Sequence, residues 1–238
     1  RAILESLEFG VAEPAPGVFE VNVPSWRATK DVTIKDDLLE EVGRMVGYSS
    51  IPPTPPLKPV QRPWVNHERL FHHGLRQRVA AQGFTETYNY SFVSEAMAAR
   101  FGFTPDQHVH VLNPISVEQS LMRTSLLPGI HRNIVDNARY SDEFRLFEIG
   151  NEIHKRSGSE LPHEVPHLMA AIHTKADGSA AFYELKRLAE CLMPGCDAAP
   201  ASSLGYQHPA RSAAITWRGR QAGRIFELHP SLVESGRA

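Results

Sequence analysis

Apolar residues recur along the chain at two spacings, and the alternation between those spacings lays out the elements in order. Ile3, Leu4 and Leu7 share one side of a helical end over residues 1–9, with Gly10 as its stop. Val18, Phe19, Val21 and Val23 predict a strand closed by Pro24. Leu38, Leu39, Val42, Met45 and Val46 repeat at helical spacing over 37–47, with Asp36 or Asp37 as the cap and Gly47 as the stop. This helix–strand–helix unit is small and suits a winged-helix-like module. Residues 51–59, Ile-Pro-Pro-Thr-Pro-Pro-Leu-Lys-Pro, hold too much proline for either regular element and predict a stiff, extended connector.

A longer series opens near Asn66. Leu70, Phe71, Leu75 and Val79 define a helix stopped by Gly83, and the aromatic run Phe84 to Phe92 predicts a strand. Ser94 caps a short helix presenting Met97 and Phe101, and Val109 with Val111 predict a strand leading to Asn113. Residues 113–133 form the centre of the chain. Ser116 and Gln119 have the spacing of a capping box, which places a turn after Pro114. Leu121 to Thr124 reads as extended chain. Pro128 then sits in a first helical turn, where no amide hydrogen is needed, and Ile130, Ile134, Val135 and Ala138 give that helix one apolar face. Phe144 to Gly150 is apolar on both alternations, as a strand covered on both faces would be. Pro166 to Ile172 is another strand, and Phe182, Leu185, Leu188, Ala189 and Leu192 share a helix face. Ala213–Trp217 and Arg224–Leu228, joined through Gly219, read as a hairpin. Strands predominate and βαβ units are few, so the expected class is α+β with an antiparallel sheet flanked by helices.

The 238 residues, 42% of them hydrophobic, are enough for one large or two modest domains. No apolar run approaches the roughly 20 residues that span a bilayer, and no signal peptide is visible at the charged start. The chain begins at Arg1 without an initiator Met, which reads as a fragment or processed product. A formal net charge of −2 supplies no global field favouring nucleic acid. Cys191 and Cys196 match no metal or redox spacing, and reduced thiols in a cytoplasmic protein are the simpler expectation.

Among the charges, Asp31, Asp37, Glu40 and Glu41 carry the most information. Positions 37, 40 and 41 are neighbours on one side of a helix, and Asp31 precedes them on chain that can fold back alongside. Four hard oxygens suit Mg²⁺. The competing reading is that acids in a first turn stabilise the helix dipole, with Asp37 and Glu40 as a capping pair. His163-Glu-Val-Pro-His167 matches the H-E-x-x-H pattern of zinc hydrolases, which needs both imidazoles on one helical turn. Pro166 lies inside that turn, at a cost of about 3 kcal/mol and a lost hydrogen bond, so the match is accidental. His208 and His229, each followed by proline, are expected to fix loops or face the core. Arg218, Arg220 and Arg224 could touch phosphate, but a solvated hairpin is the preferred reading of them.

Several motifs together carry a resemblance. Asn113-Pro-Ile-Ser116 to Gln119-Ser120, Arg123-Thr-Ser-Leu-Leu-Pro-Gly129 and Leu146-Phe-Glu-Ile-Gly150 resemble the synthetase-like core of the bacterial phenylalanyl-tRNA synthetase beta-subunit family. Val23-Pro-Ser-Trp-Arg27, Lys30-Asp-Val32, Asp37-Leu-Leu-Glu-Glu-Val42, Arg44-Met-Val-Gly-Tyr48 and Ile51-Pro52 are similar to the module that precedes that core. Leu185-Lys186, His208-Pro209, Arg211-Ser212 and Glu227-Leu-His-Pro230 match late landmarks. Gly43 and Ala210 depart from the family, which more often has Ala and Gly there.

The resemblance implies a winged-helix-like, metal-sharing module over 1–51, a proline-rich linker over 52–65, and an inactive class II synthetase-like core over 66–238. It implies that Asp31, Asp37, Glu40 and Glu41 are Mg²⁺ ligands at a site shared with a catalytic alpha subunit. That subunit would use ATP to attach phenylalanine to tRNA(Phe) within an (αβ)₂ assembly. Arg123 and Glu148 fall where a class II catalytic fold holds polar groups near ATP, and the expectation here is that they pair with each other or with backbone. No catalytic residue is assigned to this chain. The rival reading is a free-standing nucleic-acid-binding module built on a synthetase-like domain.

Overall fold

The computed structural model describes residues 1–156, 158 and 161–234. They fall into two compact units, Arg1–Trp64 and Val65–Ala238. In the first unit, helix α1 (Ala2–Ser6) ends where Glu8 takes a left-handed conformation at φ 67°, which turns Phe9 back under the helix. Leu4, Phe9 and Val32 are buried together, with Val11, Val21, Leu38 and Val42 packed around them. Strands β1 (Gly10–Ala15) and β2 (Val18–Asn22) pair antiparallel, and Gly17 supplies the positive φ of 77° that the connecting turn requires. The expected helix–strand–helix is therefore a helix–hairpin–helix. β1 escaped the sequence reading because only Val11 turns partly inward from it, so no alternation marks it.

Helix α2 (Lys35–Val46) starts earlier than expected, with Ile34 in the capping position and Asp37 as the third helical residue. The cap assigned to Asp36 or Asp37 is corrected accordingly. An isoleucine side chain accepts no hydrogen bond, so the Asp37 carboxylate reaches back and takes the Ile34 amide at 2.9 Å. Past a short turn at Tyr48–Ser50, residues 51–66 adopt no regular structure, and Leu57 and Val60 are fully exposed.

The second unit opens with α3 (His67–Ala80), capped by Asn66, whose Oδ1 accepts the Arg69 amide at 3.0 Å. It continues through β3 (Thr85–Glu86), β4 (Phe92–Val93), α4 (Glu95–Arg100), β5 (Leu121–Met122) and α5 (Leu127–Asn137). The long strands β6 (Glu143–His154) and β7 (His163–Thr174) follow, then α6 (Gly178–Leu192), β8 (Asp197–Pro200), β9 (Gln207–Trp217), β10 (Arg220–Leu228) and α7 (Pro230–Glu234). Ser235–Ala238 lie outside the described residues.

The α+β class holds, but the single antiparallel sheet does not. The strands of this unit form three small sheets, ordered β3-β6-β7, β10-β9-β8 and β4-β5, and β3 runs parallel to β6. The run from Phe84 to Phe92 is not one strand. Its first part pairs with β6, Tyr88 and Tyr90 point to solvent, and Phe92 joins β5 instead. The strand expected at Val109–Val111 reduces to one bridge, His110 to Leu121, flanked by the Val111 amide on Ser120 O and the Met122 amide on Val109 O. The Ser116–Gln119 spacing yields a single turn closed by backbone alone.

β6 is buried on both alternations from Leu146 to Ile149, as its composition foretold. Phe147 and Ile149 meet Val79, Phe84 and Leu188 in the main core, completed by Leu75, Leu168, Ala170, Ile172 and Leu185. Full burial of side chains of this size is worth about 1.5–3 kcal/mol each. The other stretch of α6 packs Ala189 against Ile215 and Ile225, so this one helix is shared by two sheets. The β9–β10 turn places Arg218 and Gly219 at φ 50° and 74°, the two positive angles of a type I′ hairpin.

Candidate functional site

In the first unit the four carboxylates singled out by sequence do lie on and just before α2, but they face different partners. Arg27 bridges two of them. Its Nε binds Asp31, and its Nη2 donates to Glu41 Oε1 at 2.8 Å. Arg44, one turn along the helix, holds the other Glu41 oxygen. Glu41 is buried, which would raise its pKa. The Arg27 hydrogen bond outweighs that, with help from Arg44, and keeps the carboxyl below the usual range.

Asp37 is spent on the start of the helix. Its Oδ2 takes the Thr33 amide at 2.7 Å and the Ile34 amide at 2.9 Å, and these two bonds lower its pKa. Glu40 is exposed. Among the described residues no three His, Cys, Asp or Glu side chains are grouped so as to hold a metal ion. As placed, the Arg27 guanidinium occupies two of the four candidate ligands, Asp31 and Glu41. Arg27 is the residue that the sequence reading passed over. The only signal for it was its place in the Val23–Arg27 motif.

In the second unit the chemistry-bearing residues gather just past the end of β5 and along β6. Arg123 and Glu148, with side chains 6% and 1% exposed, pair through Nη1 and Oε1 at 2.6 Å. The expectation that they satisfy each other is met, and backbone contributes as well. Arg123 Nε donates to Asn151 O at 2.9 Å, and Asn89 Nδ2 donates to the second Glu148 oxygen at 2.7 Å. Small residues make room for the cluster. A Cβ on Gly150 would overlap the Arg123 guanidinium, and one on Gly129 would lie 3.1 Å from the Asn89 side chain. Asn89 was not anticipated, because nothing in the run around it distinguishes a half-buried donor from a loop residue.

A second carboxylate from the same strand, Glu152, sits beside this cluster and ties three elements together. Its Oε1 accepts the Leu126 amide at 3.0 Å, replacing the side-chain cap that α5 lacks. Its Oε2 takes His167 Nδ1 at 2.8 Å, and this bond raises the His167 pKa above the ordinary histidine value. His163 and His167 therefore both lie on strand β7, in the H-E-x-x-H stretch expected not to be helical. Pro166 is tolerated because β7 is the edge of its sheet. His208 and His229 fix local chain, one of the two roles expected of them. His208 Nδ1 accepts the Ala210 amide, and His229 Nδ1 bonds Ser231 at the start of α7.

No helix among the described residues is long and apolar enough to cross a membrane. The structure matches pyrrolysyl-tRNA synthetase from Desulfitobacterium hafniense with a TM-score of 0.57 at 16% identity, over 72% of this chain and 62% of that one. The fold is thus that of an aminoacyl-tRNA synthetase core of the class II type.

The family is narrower than that. Residues 51–236 match the model of the phenylalanyl-tRNA synthetase beta chain CLM domain, and residues 1–48 match the tRNA synthetase B5 domain. A phenylalanine–tRNA ligase beta subunit from Solibacter usitatus is 56% identical over 239 residues, covering 100% of this chain and 31% of the relative. One from Staphylococcus epidermidis is 34% identical over 97% of this chain and 30% of its own length. The chain belongs to the phenylalanine–tRNA ligase beta-subunit family, and it spans about a third of the length of those relatives.

Proposed function

We propose that this chain serves phenylalanine–tRNA ligase as a brace rather than as a catalyst. It packs against a catalytic alpha subunit that attaches phenylalanine to tRNA(Phe) at the expense of ATP. The observation that carries this reading is the Arg123–Glu148 pair. A synthetase core that binds ATP needs cationic groups free to meet phosphate. Here the buried arginine is committed to a carboxylate and a carbonyl, and the carboxylate is committed to Arg123 and Asn89.

Apolar surface supports the packing role. Leu70 and Phe71 on α3 are 57% and 60% exposed, and Tyr88, Leu112, Ile115 and Val117 around the β4–β5 ladder are more than four-fifths exposed. The N-terminal unit, with two helices around a hairpin wing, fits a winged-helix-like module. Mg²⁺ enters as an ion that Asp31, Asp37, Glu40 and Glu41 would share with the alpha subunit, on condition that Arg27 gives up its hold on Asp31 and Glu41. Localisation in the cytoplasm follows from this role. Co-expression with a catalytic alpha chain tests the reading: the two co-purify at equal stoichiometry, and Leu70→Ser with Phe71→Ser weakens that association. Failure of the wild-type pair to associate would overturn it.

A further inference from the structure

The tip of the β9–β10 hairpin has features that neither folding nor the proposed packing role explains. Its two turn residues are Arg218 and Gly219, both at positive φ. Type I′ turns strongly prefer Asn, Asp or Gly at the first of these positions, because other side chains strain the backbone there. An arginine at φ 50° is therefore held at a cost that asparagine would avoid.

The side chain is also pre-positioned. Its guanidinium lies over the Trp217 ring, 4.3 Å from the centroid, and the Trp217 Nε1 is anchored on Pro194 O at 3.0 Å. Arg220 follows two residues on, exposed. Several other arginines are spent on carboxylates: Arg27, Arg44, Arg76, Arg123, Arg145 and Arg211 each form an ion pair, and Arg224 at the base of the same hairpin is held by the Ser202 carbonyl and Gln207 Oε1. Arg218 and Arg220 have no carboxylate partner among the described residues.

We propose that this rigid tip, Trp217 to Arg220, is a contact for the RNA phosphate backbone, with Arg218 and Arg220 each meeting a phosphate. The proposal rests on the ligase reading above, in which the RNA is the tRNA substrate. A guanidinium stacked on an anchored indole gives up little freedom when it meets a phosphate, and its planar fork suits phosphate oxygens. The near-neutral net charge of −2 is compatible, because phosphate contact needs local cations and not a basic chain.

The test uses the assembled ligase with full-length beta subunit carrying Arg218→Asn and Arg220→Gln. Asparagine suits the turn better than arginine, so the hairpin folds at least as well while both charges are lost. KM for tRNA is expected to rise about three- to tenfold, and the slope of log affinity against log salt is expected to fall by about one to two units. The corresponding lysine pair should recover part of the loss. Phenylalanine-dependent ATP–pyrophosphate exchange, which needs no tRNA, should be unchanged. Intact exchange with unaltered KM and salt slope overturns the hairpin proposal alone. A wild-type assembly without exchange overturns the ligase reading itself.

Discussion

Glu148→Gln is the sharpest perturbation the core offers, because it removes one charge and almost no volume. In the wild type two donors converge on this side chain from opposite sides, Arg123 Nη1 at 2.6 Å and Asn89 Nδ2 at 2.7 Å. A carboxylate accepts both. A glutamine has one accepting oxygen, so either N–H meets N–H on one side or the Asn89 amide must flip to offer its oxygen, at a site 1% exposed to solvent. It also leaves the buried Arg123 charge with neutral acceptors only, the Asn151 carbonyl and at best the glutamine oxygen. Breaking a buried pair from one side costs about 3–5 kcal/mol. For a unit of this size that corresponds to a fall in Tm of about 6–20 °C, at roughly 2–4 °C per kcal/mol.

The assay is urea denaturation followed by a probe in the second unit, read beside Arg123→Met and the double variant Arg123→Met/Glu148→Leu. Removing both charges together should restore most of the loss, since apolar replacement of a whole buried pair is often neutral. A Glu148→Gln cost below about 1 kcal/mol would show that the pair is not shielded from water and would refute the reasoning.

Three further outcomes follow from the same geometry. The raised His167 pKa means that its ion pair with Glu152 stabilises the fold fully below about the ordinary value of 6.5 and is lost as pH rises through the higher folded value. An NMR titration of the His167 ring should report that elevation, and Glu152→Gln should abolish it. Gly150→Ala should destabilise by about 1–3 kcal/mol, because the new methyl group meets the Arg123 guanidinium across the core; thermal melts indistinguishable from wild type would contradict the close approach. Asp37→Ala should weaken Mg²⁺ retention by the complex with the alpha subunit, measured by equilibrium dialysis, and unchanged retention removes Asp37 from the ligand set.

Much of the fold was legible where one face of an element is buried. α2, α3, α5 and α6 and the strand β6 each carry enough apolar periodicity to be read in one dimension. Pro128, Asn66 and Ser94 mark helix starts because their backbone chemistry is local. The misreadings share a different cause. β1 presents little inward surface, and Thr85–Glu86 and Phe92–Val93 belong to different sheets although they lie on one aromatic run. Pairing partners distant in sequence decide such cases. The candidate sites divide along the same line. That Arg123 and Glu148 would pair was readable from their types and places, but Asn89 and Glu152 act across 59 and 26 residues and left no local trace. The carboxylates on α2 were found by helical spacing. That Arg27 would neutralise Asp31 and Glu41 depends on how residues 27–34 fold back, which spacing does not encode.

The claim most exposed to test is that the reaction happens in the neighbouring subunit. Phenylalanine-dependent ATP–pyrophosphate exchange measures this directly, with the purified chain alone set beside the same assay on the alpha–beta assembly. The account predicts no exchange above background for the chain alone and full exchange for the assembly, whereas turnover by the isolated chain would contradict it.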